Sequence, residues 1–155
     1  MKKGLGFGLT SGVITTLGLM IGTNAATASR LAVIGSIASI AIADAISDGF
    51  GMHIVEEVNI RNSKKNIWMT GWYTFLAKLL VALTFVIPVV FFPLDTAMII
   101  SIIWGALLIT GLSYQMAFAR KEEKIKMITK HLLLTAIVIV LVQIIGKSIH
   151  FFFTT

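Results

Sequence analysis

Apolar residues in this chain are gathered into five long segments that short polar connections separate. The segments run over approximately residues 5–25, 31–57, 67–92, 95–118 and 131–153. Each is long enough to cross a hydrocarbon core of ~30 Å as an α-helix that rises ~1.5 Å per residue. The pattern therefore predicts an all-α fold, with a single transmembrane domain over residues 1–155 and five membrane-spanning helices.

The composition supports a membrane location. The chain has 155 residues, of which 57% are hydrophobic and 13% are charged, and its mean hydropathy is +0.93. A soluble domain of this length carries about twice that share of charged residues. We therefore predict an integral membrane protein in a lipid bilayer, most simply a prokaryotic cytoplasmic membrane. The chain has no cysteine, which excludes disulfides, thiolate metal ligands and cysteine nucleophiles.

The basic residues predict the orientation of the helices. The N-terminal segment and two connections share one side of the predicted bundle, and their basic residues are Lys2, Lys3, Arg61, Lys64, Lys65, Arg120, Lys121, Lys124, Lys126 and Lys130. The connections on the other side carry only Arg30 and Asp95. By the positive-inside rule the N-terminus is cytoplasmic and the C-terminus is outside. Because these loops account for the net charge of +6, we expect no nucleic-acid partner.

Two local features modify the helical pattern. Pro88 lies within the third segment and predicts a kink near its outer end, because proline cannot donate a backbone hydrogen bond. The basic stretch from Arg120 to Lys130 predicts an orienting loop or a short helix at the membrane surface.

The first segment has two interpretations. Lys2, Lys3, the apolar run and the sequence Ala26-Thr27-Ala28 together imitate a secretory signal with its cleavage site. The apolar run is longer than a typical signal core, however, and it contains two GxxxG spacings, formed by Gly8, Gly12, Gly18 and Gly22. Such spacings favour close helix contact, so we expect a retained helix.

The second segment carries two aspartates, Asp44 and Asp48, at membrane depth. An ionised carboxylate near the bilayer centre costs roughly 2.5–3.5 kcal/mol by insertion scales, so such a residue needs a partner, a water path or a cargo. The i, i+4 spacing puts both carboxylates on one helix face. Because this helix is also rich in glycine, alanine and serine, we expect it to lie at the centre of the bundle.

One interpretation of this face is a row of ligands for a divalent cation. Asp44, Asp48 and Glu56 supply oxygen ligands, and the thioether of Met52 adds preference for a softer transition metal. Glu57 would then attract cations at the inner mouth of the pathway. On the first helix, Thr10 and Ser11 would add neutral oxygens and Met20 a second thioether along the pathway.

The alternative interpretation is structural. Lys78 lies near the membrane centre on the third helix and is the expected counter-ion of Asp44 or Asp48. Such an ion pair could hold the bundle together and do nothing else. Two acids against one base leave a carboxylate without a partner, which favours a functional site.

We find no pattern typical of an enzyme. The serines Ser11, Ser36 and Ser39 have no histidine at membrane depth that could activate them. The HExxH motif and phosphate-binding glycine loops are also absent from the sequence.

The first helix carries a family resemblance. The run Gly8-Leu9-Thr10-Ser11-Gly12-Val13-Ile14-Thr15-Thr16-Leu17-Gly18-Leu19 resembles the first-helix signature GLNDGLVSTLGL of the vacuolar iron transporter family. The segment from Ala41 to Glu57 is similar to the second helix of that family, Pro88 to its third, and Gln143 to Lys147 to its closing motif. The resemblance implies a homodimer that exports Fe²⁺ or Mn²⁺ from the cytoplasm in exchange for protons, through a pathway between first and second helices at the dimer axis.

The chain departs from the family pattern at three places. The first-helix asparagine and aspartate of the family fall on Thr10 and Ser11. The second-helix methionine and glutamate fall on Asp44 and Asp48, so an acid has moved from the first helix to the second. The cytoplasmic metal-binding domain is missing, and only residues 58–66 join the second and third helices. A carboxylate in place of the methionine makes the site harder, which shifts the expected cargo from Fe²⁺ toward Mn²⁺ or even a non-transition ion.

The sequence thus predicts a homodimeric transporter of divalent metal cations, driven by protons, in which Asp44 and Asp48 are the core ligands. We expect no permanently bound cofactor, only the transported ion. Two other classes stay open: a non-transporting membrane assembly protein with structural ion pairs, and a transporter of another cation or of protons alone.

Overall fold

The computed structural model describes residues 2–58 and 63–154, which are helical almost throughout. The helices are α1 (Lys2–Thr27), α2 (Arg30–Glu57), α3 (Lys64–Thr84), α4 (Val86–Phe91), α5 (Leu94–Arg120) and α6 (Lys124–Thr154). Five helical stretches of the described residues are long and apolar enough to cross a membrane, with α3 and α4 counted as one. The predicted all-helical fold with five candidate spans is therefore confirmed. Arg61, one of the basic residues that predict the orientation, lies outside the described residues.

Helix α1 lies at the centre of the bundle and packs against α2, α3, α5 and α6. Its glycines allow this: Gly8 and Gly12 face α3, whereas Gly18 and Gly22 face α6. A Cβ atom on Gly8 would lie 2.5 Å from the carbonyl oxygen of Thr74, so a larger residue would force the two backbones apart. The predicted close contact of the glycine-rich helix is confirmed.

Within one copy of the chain the predicted central position of α2 is wrong, although α2 packs against α1 as predicted. One stripe of α2 faces α1 and α3 and is buried, and it comprises Val33, Ile37, Ala41, Ala45 and Gly49. A second stripe of small residues at the same i, i+4 spacing is exposed, and it comprises Gly35, Ser39, Ala43, Ser47 and Gly51. Small residues therefore occupy two faces of α2, and only one of them packs within the chain.

The third span is interrupted at Phe85, three residues before Pro88. The amide of Phe85 donates to the carbonyl of Ala82 at 3.1 Å, which tightens the last turn of α3 before α4 begins. Proline at position 88 has no N–H for the carbonyl of Thr84, and its ring crowds that carbonyl. The structure thus breaks the helix where the sequence predicted a kink.

Helix α6 begins at Lys124, seven residues before the predicted start. Lys121 ends α5 in the left-handed conformation, with φ 56°, so the turn between α5 and α6 is short. The prediction of a loop or a separate surface helix over residues 120–130 is wrong for residues 124–130. Lysines at these positions extend into solvent on flexible stems, so their charge does not prevent the backbone from continuing the helix.

Candidate functional site

Three helices bring four polar side chains together inside the bundle. These are Ser11 from α1, Asp44 and Asp48 from α2, and Lys78 from α3. The backbones of α1 and α3 approach closely because Gly12 has no side chain: a Cβ atom there would lie 3.2 Å from Cγ of Lys78. One turn of α2 separates the two aspartates, so their carboxylates reach the same point.

Lys78 is the centre of this cluster. Its side chain is 2% exposed, whereas those of Asp44 and Asp48 are 25% and 22% exposed. The Nζ atom of Lys78 lies 2.6 Å from Oδ2 of Asp44 and donates a hydrogen bond to Oδ2 of Asp48. A buried ammonium group is stable only with compensating negative charge, which both aspartates supply. Two carboxylates and one ammonium give the ionised cluster a net charge of −1.

Ser11 links the lysine to one of the aspartates. Lys78 Nζ donates to Oγ of Ser11 at 2.9 Å, and Oγ of Ser11 donates to Oδ2 of Asp48 at 2.9 Å. A hydroxyl can accept and donate at the same time, so Ser11 completes a closed triangle of hydrogen bonds. The sequence predicted a neutral oxygen from the first helix, and the structure places that oxygen against both charged groups.

The contact of Asp44 with Lys78 differs from that of Asp48. Although the two atoms are only 2.6 Å apart, Oδ2 of Asp44 has no hydrogen-bond partner of suitable angle among the described residues. The attraction is therefore one between opposite charges, which depends on distance rather than on angle. Both carboxylates are therefore in direct contact with the Lys78 ammonium group.

The remaining acidic candidates lie nearer the end of α2. Glu56 is buried roughly 12 Å along the helix from the cluster, and its Oε1 atom lies 3.5 Å from Nζ of Lys3. Met52 lies between them and is half-buried. Glu57 is exposed, with Oε2 3.9 Å from Nε2 of His53. The contact with Lys3 was missed at the sequence level; opposite charges at the same end of antiparallel helices are the signal that could have found it.

Two of the predicted pathway residues lie outside the cluster. The hydroxyl of Thr10 donates to the carbonyl of Gly6 at 2.9 Å, within its own helix. Met20 is completely buried in the hydrophobic core, beside residues such as Leu17 and Ile37. The first helix therefore contributes Ser11 alone to the polar cluster among these three candidates.

One copy of the chain gathers a small set of possible metal ligands. Within residues 2–58 and 63–154, no three histidine, aspartate or glutamate side chains lie together in a group that could hold a metal ion. The cluster offers two carboxylates and one hydroxyl, and the positive charge between the carboxylates is the Lys78 ammonium.

Comparison of the chain with protein-family models, curated proteins and solved structures finds no match. The resemblance to the vacuolar iron transporter family therefore depends on the sequence motifs described above.

Proposed function

We propose that the protein is an integral-membrane transporter that exports a divalent metal cation from the cytoplasm in exchange for protons. The observation that supports this proposal best is the cluster of two carboxylates around a buried ammonium group. A charged lysine between two aspartates occupies the place of a cation and competes with any cation that reaches them. Binding of the transported cation is therefore coupled to the separation of Lys78 from the two aspartates.

The charges of the cluster favour a divalent cargo. With Lys78 ionised, the two aspartates leave a net charge of −1. If a divalent cation replaces the ammonium as the partner of both carboxylates and Lys78 gives up its proton, the net charge becomes zero. A neutral site costs least in a low-dielectric environment, and the exchange releases one proton per cluster. Carboxylate and hydroxyl oxygens suit a harder ion, which favours Mn²⁺ over Fe²⁺.

The exposure of the aspartates supports a homodimer. About a quarter of the Asp44 and Asp48 side chains is exposed in one copy, and lipid is a poor neighbour for a carboxylate. The exposed small-residue stripe of α2 lies beside them, since Ser47 and Gly51 follow Asp44 and Asp48 by three residues. A second copy packed on that stripe would cover the carboxylates and place four aspartates near one axis, with Glu56 and Glu57 toward the inner mouth.

The decisive experiment is Mn²⁺ and Fe²⁺ uptake into proteoliposomes with an imposed pH gradient. We expect Asp48→Asn to abolish uptake while the protein stays folded, because Asp44 keeps Lys78 paired. Asp95→Asn, which neutralises an exposed acid in the first turn of α5, is the matched control and should transport normally. Uptake that survives in Asp48→Asn would exclude the assigned site.

One observation favours a second candidate function, that of a membrane assembly protein with structural ion pairs. Lys78 contacts both carboxylates, so neither aspartate lacks a positive partner in one copy. In that case Asp44→Asn and Asp48→Asn should each lower the yield of folded protein, and folded wild-type protein should neither bind nor transport Mn²⁺. Folded protein that transports another cation would instead assign a different cargo to the same cluster.

A further inference from the structure

An apolar groove of about 310 Å³ runs along the outer side of the contact between α2 and α3. Its floor consists of Gly49 and Gly71, where the backbones of the two helices approach closely. A Cβ atom on Gly71 would lie 2.8 Å from the carbonyl oxygen of Gly49, so only glycine allows this approach. The walls are aromatic, with Phe50 on α2 and Trp72 on α3.

The groove opens away from the bundle. Phe50, Trp68 and Trp72 each line it and are well over half exposed. Its lining is apolar apart from His53, and it lies on two candidate membrane spans. Tryptophan side chains are typical of the boundary between hydrocarbon and headgroups. The groove therefore lies in the part of one leaflet that is next to the headgroups. The molecule that a bilayer presents to such a surface is a lipid acyl chain.

Basic side chains lie at one end of the groove. Lys64 and Lys65 are exposed in the first turn of α3 and precede Trp68 by four and three residues. This spacing puts them on the same face of α3 as the tryptophan, one turn closer to the helix end. At the same end of α2, Glu57 is exposed and lies 3.9 Å from His53, and the buried Glu56 lies 3.5 Å from Lys3. Among the described residues the two exposed lysines therefore outnumber the one exposed glutamate of α2, which complements an anionic headgroup.

We propose that this groove binds a phospholipid with an anionic headgroup. One acyl chain lies over Gly49 and Gly71 against the aromatic walls, and the phosphate lies beside Lys64 and Lys65. The combination of a glycine floor, aromatic walls and two lysines one turn away supports a built site rather than a general lipid surface. The proposal is independent of what the protein transports.

Bromine on lipid acyl chains quenches tryptophan fluorescence and tests the site directly. The chain contains Trp68, Trp72 and Trp104, and Trp68→Phe/Trp104→Phe leaves Trp72 as the reporter in the groove. The protein is reconstituted in vesicles of equal parts phosphatidylcholine and phosphatidylglycerol, with bromine on one lipid or on the other. We expect brominated phosphatidylglycerol to quench Trp72 more strongly than brominated phosphatidylcholine does. Each lysine near the headgroup should enrich phosphatidylglycerol over phosphatidylcholine in the groove by roughly fivefold.

Two controls separate the groove from the general lipid shell. Lys64→Gln/Lys65→Gln should remove the preference for phosphatidylglycerol, whereas Lys126→Gln/Lys130→Gln, which neutralises two exposed lysines of α6, should leave it intact. A protein with Trp104 as its sole tryptophan should be quenched equally by both lipids.

Three results would overturn the proposal. Equal quenching of Trp72 by the two brominated lipids would mean ordinary bilayer contact. Absence of quenching by both would mean that protein, such as a second copy, covers the groove. A preference for phosphatidylglycerol that survives Lys64→Gln/Lys65→Gln would mean that other residues attract the lipid.

Discussion

Lys78→Met tests how strongly the ion cluster stabilises the bundle. Methionine has nearly the length of lysine and carries no charge, so the substitution leaves Asp44 and Asp48 facing each other without a positive partner. Breaking a buried ion pair by removing one partner costs ~3–5 kcal/mol. The lower limit of this range, about 3 kcal/mol, is therefore the smallest loss in the free energy of unfolding that we expect.

Thermal unfolding of the purified protein, followed by tryptophan fluorescence without added metal, measures this loss. For a chain of this length, 1 kcal/mol corresponds to about 2–4 °C in Tm, so Lys78→Met should lower Tm by at least about 6 °C. Lys147→Met, at an exposed position of α6, is the matched control and should leave Tm nearly unchanged.

A second variant separates charge from packing. Asp44→Asn/Asp48→Asn/Lys78→Met removes all three charges, and neutral replacement of a whole buried ion cluster is often neutral or stabilising. We therefore expect its Tm to return close to that of the wild type. The electrostatic argument is refuted if Lys78→Met is as stable as the wild type, or if the triple variant is as unstable as Lys78→Met.

Two further predictions concern the packing and the hydrogen bonds of α1. Gly8→Ala should lower the free energy of unfolding by about 1–3 kcal/mol, because the added Cβ meets the backbone of α3. Gly6→Ala should be neutral or slightly stabilising, because its Cβ would lie within 4 Å of no neighbouring helix among the described residues. Equal effects of the two variants in thermal unfolding would contradict the close approach at Gly8. Ser11→Ala should lower the free energy of unfolding by about 1–2 kcal/mol, because it removes the hydroxyl of the ion cluster. Ser148→Ala removes an exposed hydroxyl that is bonded within α6 and should lower it much less. Thermal unfolding measures both changes.

The helices could be predicted from the sequence because each coincides with an apolar segment long enough to cross a bilayer, and hydropathy measures that length directly. Segments of sufficient apolar length became helices within a few residues of the predicted bounds, apart from the start of α6. That start was missed because lysines at positions 124–130 were interpreted as loop residues. Charge shows where a chain meets water, but it does not show where a helix ends.

The order of helices in the bundle could not be predicted in the same way. Small residues on α1 and α2 are alike in the sequence, yet those of α1 face α3 and α6, whereas half of those on α2 are exposed. Only the positions of the neighbouring helices decide which small residue is a contact. The contact of Lys78 with the aspartates was predictable, because a buried acid requires a base and few bases lie at that depth.

The ion cluster also has a consequence for biosynthesis. Asp44 and Asp48 lie on α2, and the lysine that neutralises them lies on α3, which the ribosome completes later. Insertion of α2 alone would place two aspartates in hydrocarbon at roughly 2.5–3.5 kcal/mol each. We therefore expect α2 and α3 to enter the bilayer together as a helical hairpin, with the pairing already made at the translocon. Integration of α2 into the membrane then depends on the synthesis of α3.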